Sequence, residues 1–350
     1  MTRALAFCLL AAAVAPVTFH AQTEPPPRRA ALRVSATRDD GVTAVTTIAP
    51  AAIDVFVDGT AARVDGLVPD RDPLSLVLLV DVTKTMSEVM VSFVWDPSFT
   101  WNGQRDVAAP NPPGSRAPDS PRALFLDSIR LGLLRRLRTG DRVSVATISK
   151  TRDPGSPFTS DRQVFFRDVR RALAVPGADR YGPSPIWDAT DAAIVRLESE
   201  PGRRVVVLIT DGLSTGNRLG LDAVVDHAVR SSVAVFVVAE ASGPPRSGRG
   251  WTLADSTHAT WTMVSSPFGN SPLGNLARMA EGTGGVIAVD GLRSTPDPQQ
   301  RLGAIMRVIR NGYVMTVAIP EGLPPTDRGR ALDVRSRTAA ISMHAPRRLP

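Results

Sequence analysis

Leu74-Ser75-Leu76-Val77-Leu78-Leu79-Val80-Asp81-Val82-Thr83-Lys84-Thr85-Met86 decides the fold of this 350-residue chain. Residues 76–80 contain no polar side chain and no polar/apolar alternation, so they read as a strand buried on both faces and placed mid-sheet. The run then changes character. Asp81, Thr83 and Thr85 follow at i, i+2 and i+4, a spacing that lets three oxygen-bearing side chains fall on one side of an extended or looping backbone. One carboxylate and two hydroxyls facing one way suit a hard cation. A second apolar strand, residues 205–210, also ends in a carboxylate, Asp211, followed by Gly212. Between the two strands, Tyr181-Gly182-Pro183-Ser184-Pro185 makes a tight polar loop ahead of a helix.

The rest of the chain fits around these strands. Pro121 is well placed as a first helical residue, and Leu126, Ile129, Leu133 and Leu137 recur at helical spacing. Residues 143–149 read as the next strand and 162–167 as an edge strand. Helices are expected over 185–197, 219–230, 273–281 and 298–310, and strands over 233–238 and 286–289. Strands alternating with amphipathic helices imply an α/β fold with a doubly wound, mostly parallel sheet and right-handed crossovers. Upstream, residues 31–70 form a small β segment with turn signals at Asp39-Asp40-Gly41 and Asp58-Gly59. Two Pro- and Gly-rich insertions, near 90–120 and 241–271, carry Trp95, Phe99, Trp101, Trp251, Trp261 and Phe268. These aromatics either form a recognition rim, with Trp95, Trp101, Trp251 and Trp261 foremost, or pin long loops to the body.

The oxygen cluster, the later loop and the second Asp-Gly resemble the metal-ion-dependent adhesion site of von Willebrand factor type A domains. That family writes Asp-x-Ser-x-Ser after its first strand, a Thr in a later loop and Asp-Gly after its fourth strand. The matching residues here are Asp81, Thr83, Thr85, Ser184 and Asp211. The resemblance spans residues 73–312, and the flanks are similar to bacterial secreted proteins related to that family. Ile53-Asp54-Val55-Phe56-Val57-Asp58-Gly59 resembles a phrase that precedes their domain, and 313–337 a phrase that follows it, within a C-terminal β extension over 313–350. The resemblance implies a spatial strand order of 3-2-1-4-5-6, with Asp81 and Asp211 at neighbouring strand ends beside the crevice of the switch point. It also implies a divalent cation, Mg²⁺ foremost, and a protein ligand offering an acidic side chain. Lys84 inside the metal loop and the Gly182-Pro183-Ser184-Pro185 loop in place of Gly-Gly-Thr depart from the pattern. The bland alternative is that these oxygens only cap helices and close loops in a metal-free domain. Asp188 reads as a first-turn acid complementing its helix dipole, with a supporting role at the site as the alternative.

Composition bounds the remaining possibilities. At 43% hydrophobic and 21% charged residues, the chain can bury one large core and a smaller one. Met1-Thr2-Arg3 followed by the apolar residues 4–17 reads as a secretory signal ending near Ala21, with retention as an anchor the alternative; residues 22–30 read as a linker. The only cysteine, Cys8, lies inside that signal, as fits an envelope, periplasmic or secreted protein built without disulfides. The net charge of +7 comes almost wholly from scattered arginines, Lys84 and Lys150 being the only lysines. No aromatic interleaving marks a nucleic-acid surface, while acidic partners or anionic headgroups suit the charge.

An enzyme reading rests on Gly212-Leu213-Ser214-Thr215-Gly216, a Gly-x-Ser-x-Gly match after a buried strand, with His227 and His258 downstream as bases for a serine hydrolase. A nucleophile elbow needs a helix starting almost at the serine, whereas Gly216, Asn217 and Gly220 delay it, so Ser214 reads as a turn residue. His20, His227, His258 and His344 form no zinc pattern, and Gly282-Thr283-Gly284-Gly285 reads as a helix end turning into a strand. The expected function is therefore cation-dependent protein binding, not catalysis, with a structural envelope protein as the third class.

Overall fold

Two sheets organise the chain in a computed structural model that describes residues 28–39, 41, 43–83, 86, 121–149, 153–174, 182–239, 272–289, 298–324, 326 and 329–349. In chain order the elements begin with β1 (Arg29–Arg38), β2 (Ile53–Val57), β3 (Thr60–Pro69) and β4 (Leu74–Asp81). Then come α1 (Pro121–Ser128), β5 (Arg142–Ile148), α2 (Arg162–Ala172), α3 (Ile186–Glu198) and β6 (Arg203–Thr210). After these lie α4 (Leu221–Arg230), β7 (Val233–Ala239), α5 (Pro272–Gly282), β8 (Ile287–Val289) and α6 (Pro298–Arg310). The chain closes with β9 (Tyr313–Ala318), β10 (Arg330–Ser336), β11 (Ile341–His344) and β12 (Arg348–Leu349).

The five-stranded sheet has the order β5-β4-β6-β7-β8, and all its pairings are parallel. Every residue of β4 is buried, because helices cover both faces. Leu76, Leu78 and Val80 pack with Ile129, Leu133, Phe165 and the α6 residues Ile305 and Ile309. Val77 and Leu79 face the other way, toward Ile186 and Ile194 of α3, Val224 of α4 and Leu276 of α5. Continuous apolarity in the strand thus follows from a three-layer α/β/α stack.

Two expectations are corrected. Residues 162–167 are helical, not an edge strand: Asp161 caps α2 by accepting from the amides of Gln163 (2.7 Å) and Val164 (3.2 Å), and Phe165 and Val169 recur at helical spacing toward the core. The backbone just upstream takes the edge position instead, since Val143 and Thr159 exchange both amide bonds, at 2.8 and 2.9 Å. With that strand gone, the sheet reads 2-1-3-4-5 and not 3-2-1-4-5-6, and Asp211 follows its third strand. The switch point still falls between β4 and β6, so the crevice argument is unchanged.

The second sheet is antiparallel, with order β11-β1-β9-β3-β2-β10-β12, so strands from residues 29–69 and 313–349 are interleaved. It has its own core of Leu32, Val34, Val55, Val57, Tyr313, Met315 and Val317. The two sheets meet at the amino ends of the parallel strands. There Asp70 accepts from Arg33 at 3.1 Å and lies 3.6 Å from the buried guanidinium of Arg203, which also donates to the carbonyl of Ile309. Burial pulls the Arg203 pKa down to about 10, with Asp70 opposing that shift. Among the described residues no helix is long and apolar enough to cross a membrane.

Candidate functional site

β4 and β6 run parallel in register, with Val80 level with Ile209, so Asp81 and Thr210 arrive side by side at the carboxyl rim of the sheet. Asp81 is fully buried and accepts four hydrogen bonds. One carboxylate oxygen takes the amide (3.0 Å) and hydroxyl (2.7 Å) of Thr83; the other takes the hydroxyls of Ser184 (3.0 Å) and Thr210 (2.8 Å). Three hydroxyl side chains from three segments of the chain therefore converge on one carboxylate. No arginine or histidine among the described residues pairs with it. Asp211, 2% exposed, sits one residue beyond Thr210 and accepts from the amide of Leu213 at 2.9 Å. Gly212, at φ +78, makes that turn, and a Cβ there would come within 2.9 Å of Leu276 and 3.2 Å of Pro272.

The Ser184 loop is latched to the loop after β6. Ser184 donates its amide to the Thr215 hydroxyl (2.9 Å) and accepts from the Thr215 amide at its carbonyl (2.8 Å). Asn217 accepts from the Trp187 amide (2.8 Å), and Asp188 accepts from the amides of Arg218 (3.0 Å) and Leu219 (2.9 Å). Asp188 does lie in the first turn of α3, but its carboxylate is spent on holding residues 218–219, which in turn frame the rim. Among the described residues, Leu213 and Leu219 on this loop are two of the few large apolar side chains left exposed, at 37% and 36%.

Of the five residues proposed from sequence as cation ligands, the structure brings Asp81, Thr83, Ser184 and Asp211 to one rim. Thr85 lies outside the described residues, as do Lys84, Trp95, Phe99, Trp101, Trp251, Trp261, Phe268 and His258. Thr210 was not anticipated; its signal is a polar residue closing the otherwise apolar 205–209 run. The donor set fits a hard cation: it is all oxygen, two carboxylates and several hydroxyls, and among the described residues no group of three or more His, Cys, Asp or Glu offers a softer alternative.

The residues around Ser214 do not make a nucleophile elbow. Its hydroxyl accepts from Asn217 at 2.7 Å, and α4 starts only at Leu221. His227 engages Asp191 (2.6 Å) and Glu198 (2.9 Å) through its two ring nitrogens.

A parallel sheet with two carboxylates at adjacent strand ends is the layout that the von Willebrand factor type A resemblance implies. The structure has that layout. No family model matches the chain, and no curated protein does. Among solved structures, an aerotolerance-related membrane protein from Bacteroides fragilis is similar at 14% identity and a TM-score of 0.41, over 67% of this chain and 98% of that one. The SpRpn10 VWA domain is similar at 12% identity and 0.32, over 48% and 75%. Proximal thread matrix protein 1 from the mussel byssus, with a zinc-occupied MIDAS motif, is similar at 11% identity and 0.35, over 69% and 48%. Likeness of this degree carries no information about activity.

Proposed function

We propose that this chain is a secreted or periplasmic envelope protein whose α/β unit binds another protein through a divalent cation, Mg²⁺ being the expected ion. Asp81, Thr83, Thr85, Ser184 and Asp211 would hold it. The observation that supports this reading is the buried Asp81 carboxylate, met by hydroxyls from three segments and by no cationic side chain among the described residues. A buried carboxylate with no counter-charge is costly even when hydrogen-bonded, and a bound cation offsets that cost. When bound, the ion supplies a coordination position for a partner's carboxylate. The chain's own residues do the rest. Thr210 and Thr83 orient Asp81, Thr215 holds Ser184 in place, and Gly212 makes the turn that follows Asp211. Exposed Leu213 and Leu219 offer apolar contact beside it, a pattern suited to a protein partner.

A second reading, a structural envelope protein with a closed and metal-free rim, draws on the four hydrogen bonds that already satisfy Asp81. Calorimetric titration of Mg²⁺ separates the two. Wild type is expected to give a saturable heat that falls at least about tenfold in affinity in Asp81→Asn, which keeps the shape but removes the charge. Identical heats for both proteins would remove the cation from the account.

A further inference from the structure

A groove remote from the carboxylate rim, on the edge of the molecule beyond β5, runs between α2 and the helical stretch 129–136. It is lined by Arg130, Leu134, Arg135, Arg162, Phe166 and Arg167, with Gln163 and Arg170 completing it, and its volume is about 390 Å³. On α2, Gln163, Phe166, Arg167 and Arg170 fall at i, i+3, i+4 and i+7, a stripe turned away from the core residues Phe165 and Val169. The helix therefore has a second face, on which Phe166 is only half-buried: it packs against the edge of the core and leaves the rest of its ring open to the groove. Across the groove, Arg130 and Leu134 are one turn apart, with Arg135 beside them. Buried Leu134 and half-buried Phe166 make an apolar floor, and guanidinium groups stand on both banks.

Nothing acidic lines this groove among the described residues. The nearest carboxylates in sequence are already engaged: Asp127 with Arg130 at 2.9 Å, Asp161 with the amides that start α2, and Asp168 with Arg167 at 3.4 Å. Arg162 spends one arm on the carbonyl of Leu137, and Arg135 makes no side-chain pairing among the described residues. Each guanidinium carries five donors, so even the engaged ones keep capacity for another acceptor. Asp127 and Asp168 offset Arg130 and Arg167 only in part, so the five arginines leave the trough with a net positive charge that a complementary acidic partner would balance.

We propose that this groove docks an acidic amphipathic segment of another protein, its apolar side chains lying on Leu134 and Phe166 and its carboxylates pairing with the arginine banks. Helix-in-groove recognition has this form, with anchors at helical spacing on one side and a charged rim on the other. The exposed lining of the groove is mostly apolar, which suits the apolar face of an amphipathic segment better than a layer of charged headgroups.

The test uses a fluorescein-labelled helical peptide with leucines at i, i+3, i+4 and i+7 flanked by glutamates, and a scrambled peptide of the same composition. Anisotropy titrations in EDTA keep the carboxylate rim out of the result. Wild type should bind the patterned peptide about tenfold more tightly than the scrambled one, and Arg130→Glu/Arg135→Glu should lose at least that factor. Arg38→Glu/Arg71→Glu changes the net charge equally at exposed positions elsewhere and should leave binding within twofold. Arg130→Gln/Arg135→Gln, intermediate in charge, should weaken binding less and guards against misfolding of the reversal variant. Equal binding of both peptides, or equal loss in the two charge-reversal variants, overturns the proposal. So does co-sedimentation of wild type with phosphatidylglycerol vesicles that Arg130→Glu/Arg135→Glu abolishes while the patterned peptide stays unbound.

Discussion

The hydroxyl of Thr210, the last residue of β6, donates to the carboxylate of Asp81, the last residue of β4, at 2.8 Å. The same oxygen accepts from the amide of Gly212 at 3.1 Å, so one side chain ties the first carboxylate to the turn that presents the second.

Thr210→Val keeps the shape of the side chain and removes both bonds. The loss should lower stability by about 1–3 kcal/mol, because a buried acceptor and a buried amide lose partners together. Thr210→Ser should recover most of it. Urea midpoints of the three proteins measure the difference, and a valine variant as stable as wild type would show that the strand ends are held by something else.

Asp141 sets the opposite end of β4. Its carboxylate, 2% exposed, accepts from the amides of Leu74 (2.8 Å) and Arg138 (2.5 Å) and pairs with Arg310 of α6. Asp141→Ala would leave the Arg310 guanidinium buried without its counter-charge and orphan the amide that begins the strand, at a cost of about 3–5 kcal/mol. Chemical denaturation should show that loss. A shift under 1 kcal/mol would mean that solvent replaces the carboxylate without penalty.

His227 makes stability depend on pH. Burial pushes its pKa down, but the bonds to Asp191 and Glu198 outweigh that, and the net shift is above the ordinary histidine value. A raised folded pKa means that the native state holds the proton more tightly, so the stabilisation is complete below about 6.5 and disappears as pH rises through the folded value. The difference in melting temperature between wild type and His227→Gln should shrink from pH 6 toward pH 9. A difference that stays constant would show that the imidazole acts only by packing.

The parallel sheet was legible in the sequence because its strands are covered on both faces and read as unbroken apolar runs, 76–80 and 205–209 above all. The placement of Asp81 and Asp211 at neighbouring strand ends was expected from the strand order that the family resemblance implies, and it survives the corrected order because β4 and β6 are still neighbours. Residues 162–167 misled because Val164-Phe165-Phe166 between arginines reads as an apolar strand, while the Asp161 cap and the i, i+4 pair Phe165 and Val169 carry the helical signal. Thr210 escaped notice because its role depends on a partner 129 residues away. The basic groove was equally invisible, since its two banks come from separate helical segments among arginines that look evenly scattered along the chain.

The interleaving of the antiparallel sheet governs how this protein is made. In the sheet β1 lies between β9 and β11, so apart from a local bridge between Thr37 and Ala44 its pairing waits until residues 313–344 have been produced. The α/β unit has all its strands by then, whereas closing the second sheet requires contacts of very high sequence separation, the slow kind. Until those late strands arrive, most of β1 is an unpaired strand open to foreign pairings, which makes closure of this sheet the step of folding most exposed to aggregation.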